Sequence, residues 1–271
     1  MKPISIIISK DGISKKYRYL IRGYLVEVLT VMHTDNKLIV CFPTMIKCKV
    51  GCAFCVSTKS TMQLKLTTDE MYSLIRSSEK DIPENIQRLY SAMGEGEPIN
   101  NLTNVINLFT KLRNESESAK LALSTTGIDH KKLNKLLLQT EKLNVKIQYS
   151  LHSCLPYDLM PYRSKHNLEI LNKHKLRVEY NVTLLNSIND SYDHANAIIN
   201  SLSEGSRIKI TPYNKHDGSK YDMSTKTNEF VDILRKSNKF NIEVYQTQGQ
   251  DIKASCGQMT AIDIKETYGL K

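Results

Sequence analysis

Apolar residues recur along the chain in two alternating rhythms. Short runs that are β-branched, or that alternate apolar with polar, lie at 38–41, 87–92, 120–124, 145–152, 177–183, 207–211 and 241–245, and predict strands. Between them apolar residues return at helical spacing. Thr68 is placed to cap a helix whose apolar stripe is Met71, Leu74 and Ile75, and residues 104–112, 130–139, 168–175, 192–202 and 228–237 read likewise. Strand–helix repetition on this scale implies a parallel sheet with crossover helices. Six or so units predict an α/β fold built as an open, partial (β/α)6 barrel; a doubly wound sheet has the same periodicity and remains the alternative. Residues 1–36 form a short N-terminal extension, with a hairpin of 17–22 and 25–32 turning at Gly23, and 37–271 form the core.

In either architecture ligands sit at the C-terminal ends of the strands. Glycine-rich and polar segments fall there, at 94–98, 124–127, 150–153 and 211–214, and are expected to converge on one face.

Composition narrows the class. The chain has 271 residues and is 40% hydrophobic, enough for one large domain with a buried core. It contains no apolar run long enough to span a bilayer. The apolar stretch near the start is brief and runs into Lys10 and Asp11, so no signal peptide is expected and a cytoplasmic location is. A formal charge of +10 fits a polyanionic partner such as RNA, or a merely basic surface. Six cysteines in such a chain are more often metal ligands or catalytic thiols than a disulfide framework.

Three of them, Cys48, Cys52 and Cys55, lie on the loop after the first core strand. Three thiolates can each ligate one iron of a 4Fe–4S cluster and leave the fourth iron open. An open iron can chelate S-adenosylmethionine (SAM) and pass an electron into its sulfonium. Zinc is the alternative, but it prefers four ligands, usually in two paired spacings, and no second pair is present.

Around this cluster stand further motifs in a fixed order. Cys41 precedes Cys48 by seven residues. Then come Met93-Gly94-Glu95-Gly96-Glu97-Pro98, Leu123-Ser124-Thr125-Thr126-Gly127, Ser150-Leu151-His152 and Met160-Pro161. Ile188-Asn189-Asp190 with His194-Ala195, Pro212-Tyr213-Asn214, and the run from Gly249 to Gln258 complete the series. In this order they resemble the radical SAM adenine methyltransferases of the RlmN/Cfr family, in a compact version without the N-terminal RNA-binding domain.

The resemblance implies a 4Fe–4S cluster on Cys48, Cys52 and Cys55, and SAM contacts from Gly96, Glu97, Ser124, Ser150, Leu151, His152 and Asn214. It implies that Cys256 is methylated by a first SAM and carries the methyl. A second SAM, cleaved by the cluster, would activate that methyl for addition to an adenine ring carbon, carbon 2 or carbon 8. Cys41 would then remove the ring proton and close a transient disulfide with Cys256, and Glu27 would relay the proton. An RNA substrate (rRNA or tRNA) and a reducing partner such as flavodoxin or ferredoxin would follow. Cys154 has no counterpart and reads as structural. Tyr17, Tyr19, Tyr24, Arg18 and Arg22 would stack on or pair with RNA, or simply form an amphipathic hairpin.

The match breaks on the substrate side. Thr61-Met62-Gln63-Leu64-Lys65-Leu66 replaces a family segment bearing an arginine, and Tyr245 and Gln248 stand where arginines are expected. A small molecule or a peptide therefore stays open as the alternative acceptor for the same relay.

Overall fold

A computed structural model of the chain describes residues 1–33, 35–156, 159–160, 165–174 and 176–263. The N-terminal strands are β1 (Ser5–Ile8), β2 (Ser14–Ile21) and β3 (Tyr24–His33), all antiparallel. The parallel strands are β4 (Lys37–Cys41), β7 (Gln87–Ala92), β8 (Lys120–Thr125), β9 (Val145–Ser150), β10 (Val178–Leu184), β11 (Arg207–Pro212) and β12 (Asn241–Val244). They follow one another in space as in sequence, with β4 pairing antiparallel to β3. A two-stranded ribbon, β5 (Met45–Ile46) with β6 (Leu64–Lys65), brackets the cysteine loop, and β13 (Ile262–Asp263) pairs with the start of β3.

One helix separates each successive pair of parallel strands: α1 (Thr68–Ser78), α2 (Leu102–Glu115), α3 (His130–Glu141), α4 (Lys165–Lys173), α5 (Tyr192–Ser201) and α6 (Thr227–Lys236). Six strand–helix units in spatial order make the open (β/α)6 barrel, since β1 and β12 end the sheet without pairing to each other. The doubly wound alternative is excluded, because such a sheet reverses its strand order and this one does not.

Two corrections concern element ends. Thr67 caps α1, with Thr68 its first residue. The Thr67 hydroxyl accepts the Glu70 N–H and the Glu70 carboxylate accepts the Thr67 N–H. The run expected to stay extended to 152 leaves the sheet at Ser150, and His152 adopts a left-handed φ of 55°.

The hairpin turns at Arg22 and Gly23, both at positive φ, as a two-residue turn between right-twisted strands requires. Tyr17 and Tyr19 are not an RNA platform. Tyr19 is fully buried and Tyr17 nearly so in the main core, while Arg18 pairs with Glu27 and Arg22 with Glu70.

Strand alternation divides the sheet into two faces. Val40, Tyr90, Leu121, Leu123, Ile147, Tyr180, Val182, Ile208 and Ile210 point outward and form the main core with helix residues such as Met71, Phe109 and Leu136. The opposite positions line the lumen and are mostly polar or small: Ser91, Ala122, Lys146, Gln148, Asn181, Lys209 and Thr211.

Candidate active site

The lumen opens into a cavity of about 560 Å³ at the C-terminal ends of the strands. Its wall brings together Cys41, Cys48, Cys52, Cys55 and Cys256 with the 93–97 loop. Sequence separation of more than two hundred residues is closed by the barrel.

The 93–97 loop is zipped to the segment after β4. Phe42 donates its N–H to the Ser91 carbonyl, Gly94 to that of Phe42, and Thr44 to that of Glu95. The approach is so close that a Cβ on Gly94 would stand 2.7 Å from the Phe42 and Pro43 backbone. Gly96 combines a φ of 106° with the same crowding against Met45. Glycine is needed at both positions for backbone to reach the cavity.

The cysteine loop crosses the cavity mouth. Gly51 takes a φ of 79°, and Phe54 stacks edge-on against His152 with ring centroids 4.8 Å apart. Burial pushes the thiols of Cys48 (to about 12), Cys52 and Cys55 up, with contributions from one another and from nearby glutamates. A metal centre that takes them as thiolates offsets that cost. Among the described residues no three His, Cys, Asp or Glu side chains converge on a single ion. Three cysteines on one loop suit a cluster in which each of three irons takes its own cysteine.

Cys256 arrives on the loop after β12. A small second core docks that loop: Ile252, Ala254 and Met259 pack with Leu29, Val31, Ile39 and Cys41. Glu95 clasps it. One carboxylate oxygen accepts the Ser57 hydroxyl (2.8 Å) and the Thr260 hydroxyl (2.6 Å), the other the Ala261 N–H (2.6 Å). Val56 donates its N–H to the Gly257 carbonyl (2.9 Å), so the cysteine loop and the Cys256 loop touch directly. Cys256 is open to the cavity yet surrounded by its walls, and burial raises its thiol. Burial pushes the Cys41 thiol up to about 12, and Cys256 adds to this.

Of the positions matched to SAM contacts, Gly96 and Glu97 line the cavity. Glu97 is buried, which raises its carboxyl. It accepts the hydroxyls of Thr125 (2.5 Å) and Thr126 (2.8 Å) and the Thr126 and Ile99 N–H groups. Ser124 and Ser150 stand at adjacent strand ends with hydroxyls 3.5 Å apart. Leu151 belongs to the outer core, and His152 Nδ1 accepts the Thr183 N–H. Asn214 donates to the Cys256 carbonyl (3.3 Å) and accepts from Gln250, so it holds the Cys256 loop and does not itself line the cavity. Pro161 lies outside the described residues. Cys154 packs partly buried against the main core.

Glu27 lies on the lumen face of β3, one pleat repeat beyond Leu29, which pairs with Cys41. Its buried carboxylate is engaged by Arg18 (2.9 Å) and Lys16 (3.3 Å), and Lys16 also reaches the Lys253 carbonyl on the Cys256 loop. It does not line the cavity. Two wall residues were not singled out from sequence: Lys209, and Tyr245 as anything beyond a lost arginine. Their signal was the alternation Arg207-Ile208-Lys209-Ile210-Thr211, which sets a lysine among lumen positions.

No family model matches the chain. Curated relatives named probable dual-specificity RNA methyltransferase RlmN do. That of Streptococcus suis is 30% identical over 285 residues, spanning 95% of this chain and 75% of that protein. That of Finegoldia magna is 29% identical, spanning 96% and 79%. A crystal structure of a radical SAM methyltransferase from Sphaerobacter thermophilus superposes with a TM-score of 0.83 at 21% identity, covering 95% of this chain and 80% of that one. A spore photoproduct lyase shares the fold more distantly, at a TM-score of 0.55 and 10% identity over 76% of each chain.

Proposed function

The chain belongs to the RlmN family of radical SAM methyltransferases, and on that premise we propose that it methylates a ring carbon of adenine in RNA, carbon 2 or carbon 8, through a methyl carried on Cys256. The observation that carries this reading is the meeting of Cys41 and Cys256 in one cavity with the three loop cysteines. A cluster scaffold alone requires neither of the two extra thiols.

Cys48, Cys52 and Cys55 would hold a 4Fe–4S cluster, which when bound supplies the electron that splits SAM. The chain's own residues do the rest. Gly94 and Gly96 let the 93–97 loop pack closely on the 42–45 segment at the cavity wall, and Glu97 ties that loop to Thr125 and Thr126 at the end of β8. Cys256 takes a methyl on Sγ and presents it to the ring. Cys41 accepts the ring proton at its own Sγ and passes it on. Its thiolate then attacks Cys256 Sγ, so that the S–S bond forms as the Cys256 sulfur–carbon bond breaks and the electron pair leaves with the carbon, which takes a proton to become the product methyl. Glu27, joined through Lys16 to the Cys256 loop, is the proposed onward proton acceptor. The apolar patch of Leu29, Val31 and Met259 keeps water from the carried methyl.

The +10 charge supports RNA as the acceptor, and a reducing partner of the flavodoxin or ferredoxin type would supply electrons. The hairpin of residues 1–36 joins the edge of the barrel sheet through β3 and β4. We read it as a short extension of a core spanning 37–271. No helix among the described residues is long and apolar enough to cross a membrane. The deciding experiment is mass spectrometry of nucleosides from RNA of cells with and without the gene. A methyladenosine that vanishes with the gene is the expected result and names the carbon. An unchanged nucleoside profile would remove RNA as the acceptor and favour the small-molecule or peptide reading.

A further inference from the structure

Lys209 is the lumen group that the relay described above leaves without a role. It sits in the middle of β11 and faces the same cavity as Cys41 and Cys256. Its side chain is only 15% exposed. A lysine so enclosed needs a partner, and its partners are weak ones. The ammonium stands 3.9 Å from the Glu243 carboxylate, which is more than half exposed, and 4.1 Å from the centre of the Tyr245 ring. It is seated on the ring and held by one long ion pair.

Besides Glu243, the cavity groups under its influence that can take on negative charge are the two thiols. Burial drives both up, and the Lys209 charge draws both back down. Tyr245 cannot serve as the anion, since burial and the two neighbouring cysteines raise its phenol and keep it protonated. The other charged groups on elements around Cys41 are Glu243 and Lys146 on the cavity wall, Glu95 and Glu97 on the 93–97 loop, Lys37 and His33 at the far end of β4 and β3, and Glu27 with Lys16 and Arg18 along the hairpin. Position 245 is also where the family resemblance leads one to expect an arginine. Here the cation comes from the adjacent strand, and the ring at 245 supports it.

We propose that Lys209 is a positioning residue of the two-cysteine relay, its ammonium seated on the Tyr245 ring so that Cys41 and Cys256 can carry negative charge inside the lumen. Its use in catalysis rests on the methyl-relay reading; its effect on Cys41 does not.

The test is carbamidomethylation of Cys41 in the cluster-loaded full chain, anaerobically, followed by peptide mass spectrometry from about pH 8 to about pH 10. Lys209→Met is expected to slow Cys41 modification by about tenfold or more at each pH, the effect of one unit in thiol pKa. Lys209→Arg, which keeps the charge, is expected to stay within about threefold of the parent. Equal rates in Lys209→Met and the parent would overturn the proposal. So would equal slowing in the methionine and arginine variants, which would mean that packing and not charge matters. If Lys209→Met does not fold, as judged by near-ultraviolet circular dichroism, Tyr245→Leu removes the seat and is expected to slow Cys41 by a smaller factor; no slowing there overturns the proposal equally. A parent that methylates no RNA while Cys41 still responds to Lys209 would sink the RNA reading and leave this one standing.

Discussion

The two faces of the barrel sheet are built from the same strands and follow opposite rules. The outer face is apolar at nearly every position and sealed by helices, as at Tyr180, Val182, Ile208 and Ile210. The inner face alternates with it residue by residue, yet carries Lys146, Gln148, Asn181, Lys209 and Thr211 around a cavity. Strands of a fully covered parallel sheet ordinarily read as continuous apolar runs. Here stability is lodged on one face, and the other is left free to hold charge. Even there the charges are partly spoken for: Glu179 takes hydrogen bonds from Lys146 (2.6 Å) and Gln148 (2.9 Å).

The sharpest way to separate the faces is to remove lumen chemistry without touching the outer core. Cys256→Ala should abolish methyl transfer altogether while the melting temperature stays within a few degrees, because the side chain is open to the cavity. A large fall in melting temperature would show that the lumen also carries stability. Cys52→Ala should likewise leave the fold but remove iron, read as loss of the brown absorbance after reconstitution.

Phe109→Ala attacks the outer face. It deletes a fully buried ring that packs edge-on against Phe42 and should cost about 3–5 kcal/mol in denaturant unfolding. Below its transition the variant should keep its iron-binding capacity. Glu95→Gln strikes where the faces meet, at the clasp on the Cys256 loop. The buried carboxylate loses part of three donors, so about 1–3 kcal/mol of local stability should go, seen as faster amide exchange around 254–261. The smallest effect is expected from Arg22→Ala, which breaks an exposed pair with Glu70 and should cost under about 1 kcal/mol. A larger cost would mean that ion pairs, rather than Tyr17 and Tyr19, hold the hairpin to the barrel.

Much of this was legible in the chain. Seven parallel strands, six helices and the hairpin lie within a few residues of their expected ends, because period-two and helical spacings are local properties. The proposed cluster triplet could be read from the chain because Cys48, Cys52 and Cys55 sit within eight residues on one loop. Thr67 was missed as the cap in favour of its neighbour, since two adjacent threonines offer the same side chain and only the backbone turn chooses between them. The hairpin tyrosines were ambiguous for a related reason: an aromatic on a strand has two faces, and α1 decides which one is dry.

The sequence by itself determined the element order, the loop that offers three thiolates, and the presence of two further cysteines with a family's spacing. Only the tertiary structure decided that Cys41 and Cys256 face one cavity, that Glu95 ties the two loops, and that Lys209 lines that same cavity. The reason is physical. Spacing along the chain governs what neighbours do. Charge and proximity inside the lumen depend on the curl of the sheet, which brings β4, β11 and the last loop around a single space.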